Sequence, residues 1–228
     1  IITAIDKDRF DLVLIGIDRK GRWFLNDESR FLLETGNGNL FQITAAEDEI
    51  AVVPRGSTAE LVDLNGHRDM GSLDVVFPIL HGPYGEDGSV QGLFKLADLP
   101  FVGAGILGSA VGMDKDVMKR LLRDAGIPIA SFRVVQAGER TSFQADEVVQ
   151  ELGLPLYVKP ANLGSSVGIT KVREIDGLSE AVDLAFQYDR KIIIEEEIKG
   201  REIECSILGN DDPIASLPGE IVSSDGFY

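Results

Sequence analysis

Leu156-Tyr-Val-Lys159-Pro-Ala-Asn-Leu-Gly164-Ser165-Ser166-Val-Gly168-Ile-Thr170 joins an apolar strand ending in a lysine to a loop rich in glycine and serine. This order of residue types builds a phosphate grip. Gly164 and Gly168 let the backbone approach a ligand and turn its N–H groups inward, Ser165 and Ser166 add hydroxyl donors, and Lys159 brings a compact positive charge. An anion is the natural guest.

Working outward, the pattern predicts strands at 154–159 and 166–172, a helix over about 176–188, and the strand Lys191-Ile-Ile-Ile-Glu-Glu-Glu-Ile198. Glu202-Ile-Glu-Cys-Ser-Ile-Leu208 alternates polar and apolar residues, as a strand buried on one face should. Cys205, inside that strand, reads as a small core residue. Upstream, Met113-Asp-Lys-Asp-Val-Met-Lys-Arg-Leu-Leu-Arg-Asp-Ala-Gly-Ile-Pro128 is the clearest helix, with Asp114 able to cap its start and Gly126 and Pro128 marking its stop. Nearer the N-terminus, Asp11–Ile17 and Leu73–Leu80 are short and continuously apolar, which suits a parallel sheet covered on both faces. Residues 34–71 between them read as loops, with an edge strand around Ala51-Val-Val53. The fold class is therefore α/β.

The 228 residues, 44% of them apolar, can bury a substantial core. A formal net charge of −16 leaves no basic footprint for nucleic acid or an anionic membrane, so a phosphate ligand must be held by a few local cations against the overall field. A single cysteine rules out an internal disulfide framework, and no apolar run approaches the roughly 18 residues that span a bilayer. A cytoplasmic location fits. Beginning at Ile1 without an initiator methionine and ending at Tyr228 in loop-like sequence, the chain reads as a fragment.

Three formal motifs compete for the glycine-rich segments. Gly103-Ala-Gly105-Ile-Leu-Gly108 satisfies G-x-G-x-x-G but lacks the following strand with its terminal acid. Gly164-Ser-Ser166-Val-Gly168 satisfies G-x-S-x-G, yet both histidines, His67 and His81, precede it, whereas a nucleophile elbow requires its histidine last. No Lys-Ser or Lys-Thr follows Gly168, so the Walker pattern is absent.

His81-Gly-Pro-Tyr-Gly-Glu86-Asp-Gly88, Met113-Asp-Lys115, the Lys159–Gly168 segment, Ile194-Glu195-Glu196-Glu197-Ile198 and Gly200-Arg-Glu202-Ile-Glu204 follow one another in one order through most of the chain. Together they closely resemble the D-alanine:D-alanine ligases of the ATP-grasp superfamily. The resemblance implies an N-terminal pre-ATP-grasp, Rossmann-like parallel-sheet domain at 1–103. It also implies a central ATP-grasp subdomain at 104–196 and the start of the C-terminal subdomain at 197–228, truncated there. It implies ATP and D-alanine as substrates, with an acyl-phosphate intermediate serving peptidoglycan precursor synthesis, and a homodimer.

By the same resemblance Lys115 and Lys159 contact ATP phosphates, Ser165 orients the second substrate and its amine, and Ser166 neighbours the phosphates. Glu195, with backbone groups at Glu196 and Ile198, receives adenine, and Glu202 takes the ribose hydroxyls. His81 and Glu86 border the second amino-acid pocket, and Tyr228 begins the lid. Relatives often carry an aromatic where Glu197 stands, which bears on the purine pocket. Mg2+ or Mn2+ is implied, its ligands falling after Tyr228, and a catalytic glutamate would precede Ile1.

The residues alone also admit plainer roles. Lys115 and Lys159 can be surface cations, Ser165 and Ser166 a hairpin turn, Glu195 and Glu196 a solvated edge, Glu202 an exposed strand charge, His81 a strand-end cap and Tyr228 a frayed terminus. D-lactate- or D-serine-accepting ligases and a non-catalytic nucleotide-binding module remain as alternatives. As a strand-end cation, Lys159 is expected to contribute little to stability.

Overall fold

In the computed structural model, which describes residues 1–18, 20–27, 48–55, 58–66 and 69–222, the chain divides into two compact units. The first comprises Ile1–Pro78 and Gln91–Gly103; the second comprises Ile79–Val90 and the residues from Ala104 onward.

The first unit is built on an antiparallel sheet of β1 (Leu14–Ile17), β2 (Trp23–Asn26), β3 (Glu49–Arg55), β4 (Thr58–Asp63) and β5 (Asp69–Leu73), paired in that order. A parallel sheet was the expectation, and the turns explain the difference. Asp18 accepts from the backbone N–H groups of Lys20 at 2.8 Å and Arg22 at 3.0 Å, and Gly21 supplies a left-handed φ of 78°. The chain therefore reverses within a few residues, where a parallel pair would need a crossover of a dozen or more. Ala51–Val53, read as an edge strand, lies in the middle strand, and the sheet buries Phe24, Ile50, Ala59 and Leu61.

The run Leu73–Leu80 is not a covered strand. Beyond β5 only Val76 pairs, in a parallel bridge to Phe101, while Val75, Phe77 and Ile79 are exposed. Pro78, lacking an N–H, cannot extend that ladder. Helix α1 (Ser89–Leu96) contributes Phe94, which meets Trp23 edge-on with ring centroids 6.2 Å apart.

In the second unit, α2 (Ile106–Met113) and α3 (Lys115–Asp124) precede a four-stranded antiparallel sheet. The sheet contains β6 (Phe132–Gln136), β7 (Leu156–Pro160), β8 (Thr170–Val172) and β9 (Lys191–Glu196), in the spatial order β6-β9-β7-β8. Strand alternation sends Leu156, Val158, Ile192 and Ile194 into a core shared with α4 (Ala145–Leu152) and α5 (Leu178–Ala185), through Val148, Leu178 and Val182. The intervening residues, Tyr157, Lys159 and Glu195, consequently face the opposite side. Asp114 caps α3, accepting from the N–H groups of Asp116 and Val117 at 3.1 and 3.2 Å, and Gly126 closes the helix with φ of 74°.

The expected strand 202–208 divides into β10 (Glu202–Glu204) and β11 (Ile207–Leu208). These pair with β13 (Gly219–Ile221) and β12 (Ile214–Ala215) respectively as two-stranded ribbons. Neither buries a face, because a two-stranded ribbon has no second layer of its own; Ile203, Ile207 and Leu208 are exposed. Cys205 is likewise exposed rather than part of the core, with Sγ 3.3 Å from the Ser216 carbonyl oxygen. Among the described residues, no helix is long and apolar enough to cross a membrane.

This division of burial predicts that Leu156→Ala lowers unfolding free energy by about 2–5 kcal/mol in urea titrations, while Ile203→Ala changes it by less than about 0.5 kcal/mol.

Candidate functional site

The Gly/Ser loop between β7 and β8 holds an unusual backbone. Ser165 and Ser166 both adopt left-handed conformations, with φ of 49° and 58°. Side chains disfavour that region, so two such serines in succession carry strain that the surroundings must hold. Gly168, at φ of 70°, is part of that hold: a Cβ there would lie 2.7 Å from the Tyr188 ring and 2.9 Å from Pro160. Asn162 is fixed by Asp189, whose carboxylate accepts from its backbone N–H at 2.8 Å and its side-chain amide at 2.9 Å.

Lys115, the first residue of α3, leans onto this loop, with Nζ donating to the Leu163 carbonyl and its backbone N–H donating to Ala161 O at 3.0 Å. Burial, followed by the nearby Lys159 charge, pushes the Lys115 ammonium below its ordinary pKa of 10.5. An anion beside it would relieve both effects. Lys115, Ser165 and Ser166 line a cleft of about 440 Å³ together with Glu86, Ser109 and Met113. Glu86 accepts from Gly82 N–H at 2.6 Å, and its carboxylate is 3.8 Å from Nδ1 of the exposed His81. His81 itself does not line the cleft.

The polar face of the sheet carries the second group. Tyr157 of β7 is registered opposite Glu195 of β9, which places Lys159 diagonally across from Glu195. Lys159 Nζ donates to Glu195 Oε1, and Lys119 Nζ of α3 lies 3.0 Å from Oε2. Burial opposes ionisation of Glu195, yet Lys159 and then Lys119 hold its carboxyl below its ordinary value of 4.5. Lys159 is thus an ion-pair partner of a buried carboxylate rather than a free strand-end cation.

Glu196 turns outward, accepting from Ser131 N–H at 2.6 Å, while its own N–H donates to Ser131 O at 3.1 Å. Glu197 pairs with Lys171, which holds its carboxyl below the ordinary range. Ile198 is exposed beyond the strand end, and Glu202 is exposed on β10 opposite Ile221. Tyr228 lies outside the described residues.

Sequence reasoning found the lysines, the serine loop and the Asp114 cap but missed Lys119 and Lys191. Lys191 binds both Asp114 oxygens, at 2.6 and 2.8 Å, and reaches Asp116 at 3.3 Å. The available signal for Lys119 was its spacing, four residues after Lys115 and so on the same helix face.

The family description "D-ala D-ala ligase N-terminus" matches residues 1–104, and "D-ala D-ala ligase C-terminus" matches residues 121–228. The chain belongs to the D-alanine:D-alanine ligase family. Two curated relatives, the D-alanine–D-alanine ligase of Shouchella clausii and the D-alanine–D-alanine ligase A of Escherichia coli K12, are each 50% identical over the whole chain. The chain spans 62–63% of the length of these ligases. The D-alanine-D-alanine ligase structure from Coxiella burnetii matches 97% of the chain with a TM-score of 0.81 at 36% identity, the chain covering 64% of it. The VanG D-Ala:D-Ser ligase of Enterococcus faecalis matches 99% with a TM-score of 0.85 at 37% identity, again covered to 64%. Both ligase structures share its mixed α/β architecture.

A carboxyl with a lowered folded-state pKa adds stability above its unfolded value and loses it as pH falls through the folded one. The Glu195 contribution should therefore be complete above about pH 4.5 and decline below it, and Glu195→Gln should flatten that acid limb in urea unfolding measured across pH. Gly168→Ala should lower stability by more than about 1 kcal/mol in the same assay, from its left-handed φ and the crowding at Tyr188.

Proposed function

We propose that this chain forms part of an ATP-dependent ligase that joins two D-alanine molecules into D-alanyl-D-alanine, a peptidoglycan precursor, in the cytoplasm. The observation that carries this reading is the cleft in which Lys115, Ser165 and Ser166 stand together with Glu86, because it brings phosphate-binding and amine-facing groups into one space. Residues 1–103 are assigned to the pre-ATP-grasp domain, 104–196 to the central grasp subdomain and 197–228 to the start of its partner subdomain.

On this reading ATP phosphorylates the carboxylate of one D-alanine. The amine of the second attacks the acyl carbon, and phosphate leaves the tetrahedral intermediate to give the dipeptide. This chain supplies positioning and charge. Lys115 and Lys159 neutralise phosphate oxygens, the left-handed backbone at Ser165 and Ser166 offers N–H groups to them, and the Ser165 hydroxyl orients the incoming amine. Glu86 borders the amine's pocket, and His81 acts on it through the Glu86 carboxylate, 3.8 Å from its Nδ1. Glu195, with Glu196 and Ile198, receives adenine, Glu202 takes the ribose, and Tyr228 begins the lid. Mg2+ or Mn2+ would neutralise further phosphate charge when bound; among the described residues no group of three or more His, Cys, Asp or Glu is placed to hold it. A homodimer completes the proposal.

Curated relatives at half identity carry the dipeptide ligase name, which favours D-alanine as nucleophile. The solved D-Ala:D-Ser ligase makes D-serine the competitor to test. The gene product carrying this sequence should release phosphate from ATP when given D-alanine and not L-alanine, with D-serine and D-lactate poorer second substrates. Release indifferent to D-alanine would sink the assignment. Ser165→Ala should lower kcat/KM by about 100-fold while the urea midpoint stays near that of the parent.

A further inference from the structure

Lys119 has no part in the roles assigned so far, yet it is the most completely enclosed cation of the polar sheet face. Its side chain and that of Glu195 are each only 11% exposed, against 22% for Lys159. An ammonium has three N–H directions, and the surroundings of Lys119 fill them: Glu195 Oε2 at 3.0 Å, the Ala130 carbonyl at 3.3 Å, and the Phe132 ring face with its centroid at 5.2 Å. Ala130 and Phe132 flank Ser131, the residue that binds Glu196 through two backbone-directed hydrogen bonds. One short segment, 130–132, thereby fixes Lys119 and Glu196, and Lys119 fixes Glu195.

Lys159 is held differently. Its ammonium shares Glu195 through the other oxygen and lies 5.3 Å from the Tyr157 ring centroid, on the more open side. A carboxylate between two ammoniums can release one and remain compensated by the other. With neither, it would be a buried unpaired charge, which is strongly disfavoured.

Resting on the adenine and phosphate roles proposed above, we infer that Lys119 is a positioning residue for the base end of the nucleotide. It anchors Oε2 of Glu195, so that Oε1 becomes an acceptor for the adenine amino group when Lys159 turns to the phosphates. An ionised carboxylate only accepts hydrogen bonds. A Glu195 pinned in that state favours a base with an exocyclic amine and repels one with a carbonyl at the same place. Lys119 therefore governs base choice without touching the base.

The test compares ATP with inosine triphosphate, which carries a carbonyl where adenine has its amino group, using the gene product that contains this chain. Lys119→Met keeps the aliphatic stem and removes the charge. It should raise KM for ATP about tenfold, roughly the weight of one charge-assisted hydrogen bond, leave kcat within about threefold, and lower the ATP-over-ITP preference by a similar factor. Lys119→Arg should restore most of the preference.

A kcat loss with unchanged KM, or equal losses for both nucleotides, would overturn the role, since a general structural defect weakens both alike. Where Lys119→Met fails to fold, the Glu195→Gln/Lys119→Met pair removes both charges; it should match Glu195→Gln alone, and a further tenfold loss of ATP affinity refutes the coupling. A parent protein that binds neither nucleotide refutes the ligase reading itself. ATP preference untouched by Lys119→Met refutes only the Lys119 role.

Discussion

The Glu195 carboxylate, enclosed between the ammonium groups of Lys159 and Lys119, is the interaction on which the second unit's polar face depends. It joins three elements by charge: β7 through Lys159, α3 through Lys119 and β9 through Glu195 itself. Desolvation works against each member, and pairing of the carboxylate with an ammonium offsets it. The arrangement follows from strand alternation, because the residues that send Leu156, Val158 and Ile194 into the core also send Tyr157, Lys159 and Glu195 out of it. A one-residue slip of β9 would exchange those faces and bury the carboxylate among aliphatic side chains.

The serine loop shows a different economy of means. Its left-handed serines are unfavourable locally, and the neighbourhood keeps them in place: Gly168 packs where no Cβ fits, Asp189 ties down Asn162, and Lys115 takes the Leu163 carbonyl. Holding the backbone in this form before a ligand arrives removes part of the ordering cost of binding. Strain at the loop and rigidity around it belong to one design.

Much of this second unit was legible in the sequence. Asp114 before an amphipathic run with Gly126 after it specified α3, and the apolar run 191–194 specified β9, because caps and periodicity are local signals. The lysines and serines of the site were legible for the same reason, being attached to recognisable strand ends and turns. Hidden were contacts set by tertiary placement. Lys119 looks in sequence like one more polar residue on a helix, and only the packing of α3 beside β6 and β9 reveals its partner. The pairing of the first sheet is not written in its strands, because short β-branched runs look alike in parallel and antiparallel sheets; the side-chain hydrogen bonds of Asp18 and the left-handed Gly21 decide it. The ribbons β10–β13 kept the alternating pattern of a half-buried strand, but that pattern does not state what covers the apolar side.

Asp114 performs two tasks with one carboxylate, capping α3 and receiving the Lys191 ammonium at the start of β9. The helix origin and the strand origin are therefore pinned at a common point, and neither can drift without loosening the other. Since Lys115 and Lys119 ride on the first turns of that helix, their separation is set by helical rise, about 6 Å over four residues. The helix fixes the backbone origins of the two cations relative to each other, so that a change in the serine loop alters what Lys115 meets without moving the base from which Lys119 reaches Glu195.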